Sequence, residues 1–143
     1  MISSDIQIQE VAWQHAEKAL SEIRIQVFIK EQGVPETLEW DGLDAECIHL
    51  LAVSSSNIPV GTVRLLPDGH IGRMAVLKEW RNRGVGKALL LRILDIAQIH
   101  GIKVVVLNAQ TSAQGFYEKL GFHAVGEEFM DAGIPHYKMT RDL

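Results

Sequence analysis

A mixed α/β fold is expected from three features of the chain: closely spaced apolar runs between residues 48 and 77, a glycine pair opening a long apolar helix, and a β-branched run behind that helix. Short runs punctuated by turn residues suit an antiparallel meander. Strand, helix and continuous apolar strand in succession suit parallel pairing through a right-handed crossover. At 143 residues, one domain can bury roughly two-thirds of its unfolded surface in a single core.

In chain order, Ile6, Ile8 and Val11 alternate with Gln7, Gln9 and Glu10, a period of two that predicts a first strand. From Trp13 to about Lys30, Ala16, Ala19, Leu20, Ile23 and Val27 recur at three- and four-residue steps, which predicts an amphipathic helix ended by Gly33 and Pro35. Residues 36–46 hold five carboxylates (Glu36, Glu39, Asp41, Asp44, Glu46) and no cation. They read either as a solvated acidic loop or as a rim whose field attracts a cationic substrate. Ile48 to Ser54, Val60 to Leu66 and His70 to Leu77 then make the meander, with turns at SSSNIP and at Pro67-Asp68-Gly69. A helix follows from about Gly84 to His100, with Gly101 as its C-cap; it is apolar almost all round and must be covered. Lys103 to Asn108 is expected to be a strand buried on both faces. Ser112 to Leu120 reads as a short helix closed by Gly121. Phe122 to Val125 and His136 to Thr140 read as strands joined by a loop over 126–135. A last strand exposed at the edge is able to pair between subunits, so monomer and homodimer both stay open.

With 47% apolar and 22% charged residues the composition is that of a soluble globular protein. A net charge of −4 argues against a general nucleic-acid partner, which needs a basic face across the domain. Purely apolar runs such as Ala88 to Leu91 fall far short of the ~20 residues of a membrane span. Met1 to Asp5 carry no cationic start followed by an apolar block, so no leader is read and a cytoplasmic location is expected. The single cysteine, Cys47, excludes an intrachain disulfide and a cysteine metal cluster, and beside Ile48 and Leu50 it reads as a buried structural thiol. No metal site is expected.

Residues 71–87 combine an extended segment (Ile71, Met74, Val76), a cationic turn, and Gly84 and Gly86 at a helix mouth. The first amides of a helix lack internal partners, and glycine lets an anion approach the backbone. Between Arg73 and Arg92 six cations face one acid, Glu79, in a chain that is acidic overall. An anion site of unspecified kind follows.

Two motifs narrow it. Arg81-Asn82-Arg83-Gly84-Val85-Gly86 fits [RQ]-x-x-G-x-[GA] between a strand and a helix, and NAQTSAQGFYEKLGF runs from Asn108 to Phe122 downstream. Together they resemble the GNAT superfamily of N-acetyltransferases, in element order over nearly the whole chain. VFIKEQGVP (27–35) and WDGLD (40–44) are similar to its ElaA-like branch. The resemblance implies a single GNAT-like domain over 1–143: a central, mostly antiparallel sheet splayed between a parallel pair of strands and flanked by helices. It implies acetyl transfer from acetyl-CoA, as acyl donor, to a primary amine of a small molecule by direct attack. Backbone groups of Met74 and Val76 would meet the pantetheine arm, with the Met74 amide as oxyanion donor. Amides of Arg81, Asn82, Arg83, Gly84, Val85, Gly86 and Lys87 would hold the pyrophosphate, with the side chain of Arg81 or Lys78 near the 3′-phosphate. Asn108 would bond the pantetheine arm or an ordered water. Tyr117 would lie beside the sulfur, as general acid or only to position it. The incoming ammonium must lose a proton, and Glu31, His49, His136 or a water chain are the candidate acceptors. A non-catalytic acyl-CoA-binding module remains the alternative. A triphosphate site is disfavoured because no lysine-serine or lysine-threonine pair follows Gly86.

Overall fold

Residues 5–143 are described in the structure, a computed structural model; residues 1–4, part of the segment read above as free of a leader, lie outside the described residues. Strands β1 (Ile6–Val11), β2 (Ile48–Ser54), β3 (Pro59–Leu65) and β4 (Ile71–Val76) form one antiparallel sheet in that order. Helix α1 (Trp13–Arg24) covers one face and runs on as a π-helical stretch, Ile25–Glu31, before Gly33 ends it. After the one-turn helix α2 (Glu36–Glu39), the long helix α3 (Val85–Ile99) covers the other face. The apolar run of β2 follows from this sandwich. Leu50 and Ala52 join the core under α3, while Leu51 and Val53 join Leu20, Ile23 and Val27 under α1.

A second antiparallel sheet holds β5 (Val104–Gln110), β6 (His123–Asp131) and β7 (Ile134–Asp142) in the order β5-β7-β6, with α4 (Gln114–Glu118) between β5 and β6. Three expectations are corrected. Residues 126–135 are mostly hairpin rather than loop: β6 reaches Asp131 and β7 starts at Ile134, around a turn in which Ala132 (φ 52) and Gly133 (φ 77) are both left-handed. The last strand is not an edge, because β7 is paired on both sides and β6 takes the edge. Strand β5 buries one face only: Val105, Leu107 and Ala109 are buried while Val104 and Asn108 are exposed.

The two sheets meet at one point and then part. At the start of β4, His70 bridges Val106 in parallel and the Val106 amide donates to the Gly69 carbonyl at 3.1 Å. Gly69 is required there, since its φ is 99 and a Cβ would lie 2.6 Å from the Val104 carbonyl oxygen. Farther along, Thr62 to Arg64 on β3 is a step of two residues matched on β4 by the three-residue step from Ala75 to Gly72. The extra residue is a bulge, and Arg73 takes a left-handed φ of 50 within it. Bulges bend and twist a strand, so β4 turns away from β5 and leaves a wedge between them.

Candidate active site

The wedge is a cleft of about 780 Å³, with Met74 and Val76 on one wall and Leu107, Asn108 and Gln110 on the other. The Leu77 amide donates to the Val60 carbonyl on the β3 side (2.9 Å). Successive residues of a strand point their backbone groups to opposite edges, so Val76, and Met74 two residues earlier, turn theirs toward the cleft. The open edge of β4 is thus a row of polar groups that no strand satisfies.

At one end of the cleft α3 begins. Gly84 caps it at φ 81, and the Ala88 amide makes the bond to the Gly84 carbonyl, so the amides of Val85, Gly86 and Lys87 have no acceptor within the helix. Asn82, Gly84, Val85, Gly86 and Lys87 all line the cleft. Arg81 also lines it, but its groups are engaged. Its amide donates to the Lys78 carbonyl (3.3 Å), its Nε to the Val76 carbonyl (2.9 Å) and its two terminal nitrogens to Glu31 (2.6 and 2.7 Å). Arg83 stacks its guanidinium 4.7 Å over the Trp80 ring. Neither Arg83 nor Lys78 is among the cleft residues.

Tyr117 lies at the other wall, edge-on to Phe116 (5.1 Å) and Phe122 (5.9 Å). Burial pushes its phenol up to about 12.

The three base candidates separate. His136 lines the cleft at 8% exposure, stacked on Phe129, with Nδ1 2.6 Å from the Ile134 carbonyl oxygen. A carbonyl only accepts, so Nδ1 carries the proton and the Nε2 of the neutral ring is left with its lone pair. His49 is set aside as a base. It is 1% exposed, packed on Trp13 with Nε2 2.8 Å from the Asp44 carbonyl oxygen, it does not line the cleft, and burial pulls its pKa down. Glu31 is also outside the cleft lining, and the hydrogen bonds from Arg81 hold its carboxyl below the usual range, which weakens it as a base.

Three of the five carboxylates in the acidic segment are tied into the fold, while Glu36 and Glu46 are exposed. Arg24, 1% exposed, donates to Glu39 (2.8 Å) and Asp44 (2.7 Å), and Arg64 donates to both Asp41 and Asp44. Arg73 reaches the Glu39 carbonyl (3.0 Å) and Asp41 (3.3 Å). Glu39, Asp41 and Asp44 thus face three guanidiniums, which weakens the basis for attracting a cationic substrate. Cys47 is half-buried rather than fully buried, its thiol donates to the Leu43 carbonyl (3.2 Å), and burial raises its pKa. Among the described residues no group of three or more histidine, cysteine or acidic side chains is able to hold a metal ion, and no helix is long and apolar enough to cross a membrane.

Arg73, counted above among the cations of the anion site, is instead engaged by Glu39 and Asp41, and residue types and spacing give no sign of Gln32 or Gln110. Gln110 donates to Gln32 at 2.9 Å, tying the end of β5 to the segment behind α1.

A family described as "Acetyltransferase (GNAT) domain" matches residues 9–143. A Bacillus subtilis (strain 168) protein with a provisional acetyltransferase name is 45% identical over 126 residues, 84% of this chain and 85% of its own length. Protein ElaA of Escherichia coli (strain K12) is 32% identical over 133 residues, 87% of this chain and 86% of its own. The crystal structure of Escherichia coli ElaA superposes with a TM-score of 0.86 at 31% identity, over 96% of this chain and 99% of that one. A GNAT family acetyltransferase from Elizabethkingia anophelis, solved with acetyl-CoA bound, shares the fold at a TM-score of 0.74 and 18% identity, over 99% of this chain and all of that one.

Proposed function

The chain belongs to the GNAT family of acetyltransferases, in its ElaA-like branch, and on that footing we propose that it moves the acetyl group of acetyl-CoA to a primary amine of a small molecule, by direct attack in a ternary complex. One observation carries the reading: the freed edge of β4, the unpartnered first amides of α3 and the Tyr117 side chain all open onto a single cleft. A thioester with a pyrophosphate handle needs those three things. The acetyl-CoA seen in the Elizabethkingia relative supports the choice of donor.

Each group has a stated task. Backbone amides of Asn82, Gly84, Val85, Gly86 and Lys87 hold the pyrophosphate, with the Lys87 ammonium nearby. Val76 and Asn108 bond the pantetheine arm. His136 Nε2 takes a proton from the substrate ammonium, which frees the lone pair that attacks the thioester carbon. A carbon–nitrogen bond forms, and the Met74 amide stabilises the negative charge gathering on the carbonyl oxygen. The carbon–sulfur bond then breaks, the Tyr117 hydroxyl gives its proton to the departing sulfur, and the second proton that the nitrogen sheds as the amide forms restores the phenol. Direct attack fits a cleft whose lining, among the described residues, offers no serine–histidine pair, in a chain with one cysteine, held to a backbone carbonyl outside that lining.

Calorimetric titration with acetyl-CoA, followed by a thiol-release assay over a panel of amines and peptides, tests the reading. Saturable binding and release of CoA thiol with at least one amine are expected. No binding at millimolar ligand would sink it. Binding without thiol release on any amine would leave the chain a carrier of acyl-CoA.

A further inference from the structure

Four non-glycine residues among those described have a positive φ: Asn57, Arg73, Asn82 and Ala132. Three occupy turns. Only Arg73 lies inside a strand, where the left-handed region is strained for any residue with a Cβ unless its surroundings hold it. Those surroundings are specific. The Arg73 Nη2 bonds the Glu39 carbonyl (3.0 Å) and Asp41 (3.3 Å), and its Nε lies 3.1 Å from the Glu39 carboxylate, an ion-pair contact off the hydrogen-bond direction. The two acids are fixed in turn, Glu39 by Arg24 on α1 and Asp41 by Arg64 on β3. The bulge is therefore tied to two other elements through one guanidinium.

The ψ angle of Arg73 orients the peptide plane that carries the Met74 N–H. We propose that Arg73 is a positioning residue: its bonds to residues 39 and 41 hold the β4 bulge in the one shape that points the Met74 amide into the cleft. The acidic segment then serves as an anchor for catalytic geometry rather than as a lure for substrate. The inference rests on the acetyltransferase reading for its effect on rate, but not for its effect on the backbone.

Arg73→Gly is an informative variant, because glycine accepts a φ of 50 and so removes the tether without adding strain. Arg73→Lys, which keeps the Cβ, controls for the backbone freedom that glycine adds. The value of kcat on a reactive amine should fall about tenfold or more, part of the 10²- to 10³-fold that an oxyanion donor is worth. The Kd for acetyl-CoA should stay within about twofold, because the pyrophosphate amides are untouched. The Met74 amide order parameter from ¹⁵N relaxation should drop from about 0.85 to below about 0.6. Arg73→Lys, which keeps the charge without the fork, should fall between. An unchanged kcat, or a Met74 amide as rigid as in the wild type, overturns the proposal. If Arg73→Gly does not fold, the lysine variant is read by the same two measurements, and no change in either overturns it. If the wild type releases thiol with no amine, the proposed function fails, while the tether is still judged on the Met74 order parameter alone.

Discussion

Tyr117 owes its raised pKa to burial between Phe116 and Phe122, and the direction has a chemical consequence. A phenol that ionises only near 12 stays protonated at every pH where an enzyme of this kind works, so it retains the proton it is to give. Tyr117→Phe should lower kcat about 10²-fold, the lower end of what general acid catalysis contributes, with the acetyl-CoA Kd within about twofold. The same assay should show no loss of kcat below about pH 10 from ionisation of this group. An equal kcat in the phenylalanine variant would remove Tyr117 as the acid. Tyr117 was legible because the motif that carries the family resemblance, Asn108 to Phe122, is one continuous segment. The pairing of Arg73 was not, since its acceptors lie 34 and 32 positions away. A spacing pattern cannot register a contact that only a fold brings together.

Strands β4 and β5 diverge from a hinge at Gly69, and the cleft depends on that point staying closed. Gly69→Ala would force a Cβ to 2.6 Å from the Val104 carbonyl oxygen at a φ of 99. A loss of about 2 to 4 kcal/mol in stability is expected from strain and overpacking together. Urea denaturation measures it, and a change under about 0.5 kcal/mol would contradict the tight contact. The elements of the first sheet were readable because alternation and turn residues mark them. The β6–β7 hairpin was missed for a reason visible in its burial: β6 is exposed along almost its whole length, so no apolar face imposes a period of two. Its turn, Ala132-Gly133, also lacks the asparagine or aspartate in the first turn position that usually marks a two-residue hairpin.

The buried ion network links α1, the 36–46 segment, β3 and β4 into one body, and it makes the molecule sensitive to acid. Hydrogen bonds from Arg64 hold the Asp41 carboxyl far below its usual range. Burial would raise Asp44, but bonds from Arg24 and Arg64 outweigh it and hold this carboxyl low as well. A group whose folded pKa lies below its unfolded value stabilises the fold above the unfolded pKa, and that stability is lost as pH falls through the folded one. Burial also pulls the His49 pKa down. Stability should therefore begin to fall below about pH 6.5, where the unfolded ring takes up a proton that the buried one resists, and fall further below about pH 4, the unfolded value for aspartate. Asp41→Asn should be less stable at pH 7 and show a shallower acid decline. Urea midpoints at pH 7, 5 and 3 measure both, and a wild-type midpoint unchanged between pH 5 and 3 would contradict the account.

Element order, the anion-ready start of α3 and the family motifs could all be read along the chain, because each depends on residues within a few positions of one another. The splay of β4 from β5, the loss of Arg81 to Glu31 and Val76, and the separation of His136 from His49 and Glu31 could not. Nor could the pairing of Glu39, Asp41 and Asp44 with Arg24, Arg64 and Arg73, where partners up to 34 positions apart meet. Local periodicity records which face of an element is buried, but charge pairing and backbone direction are settled only when distant segments compete for the same space and the same hydrogen bonds.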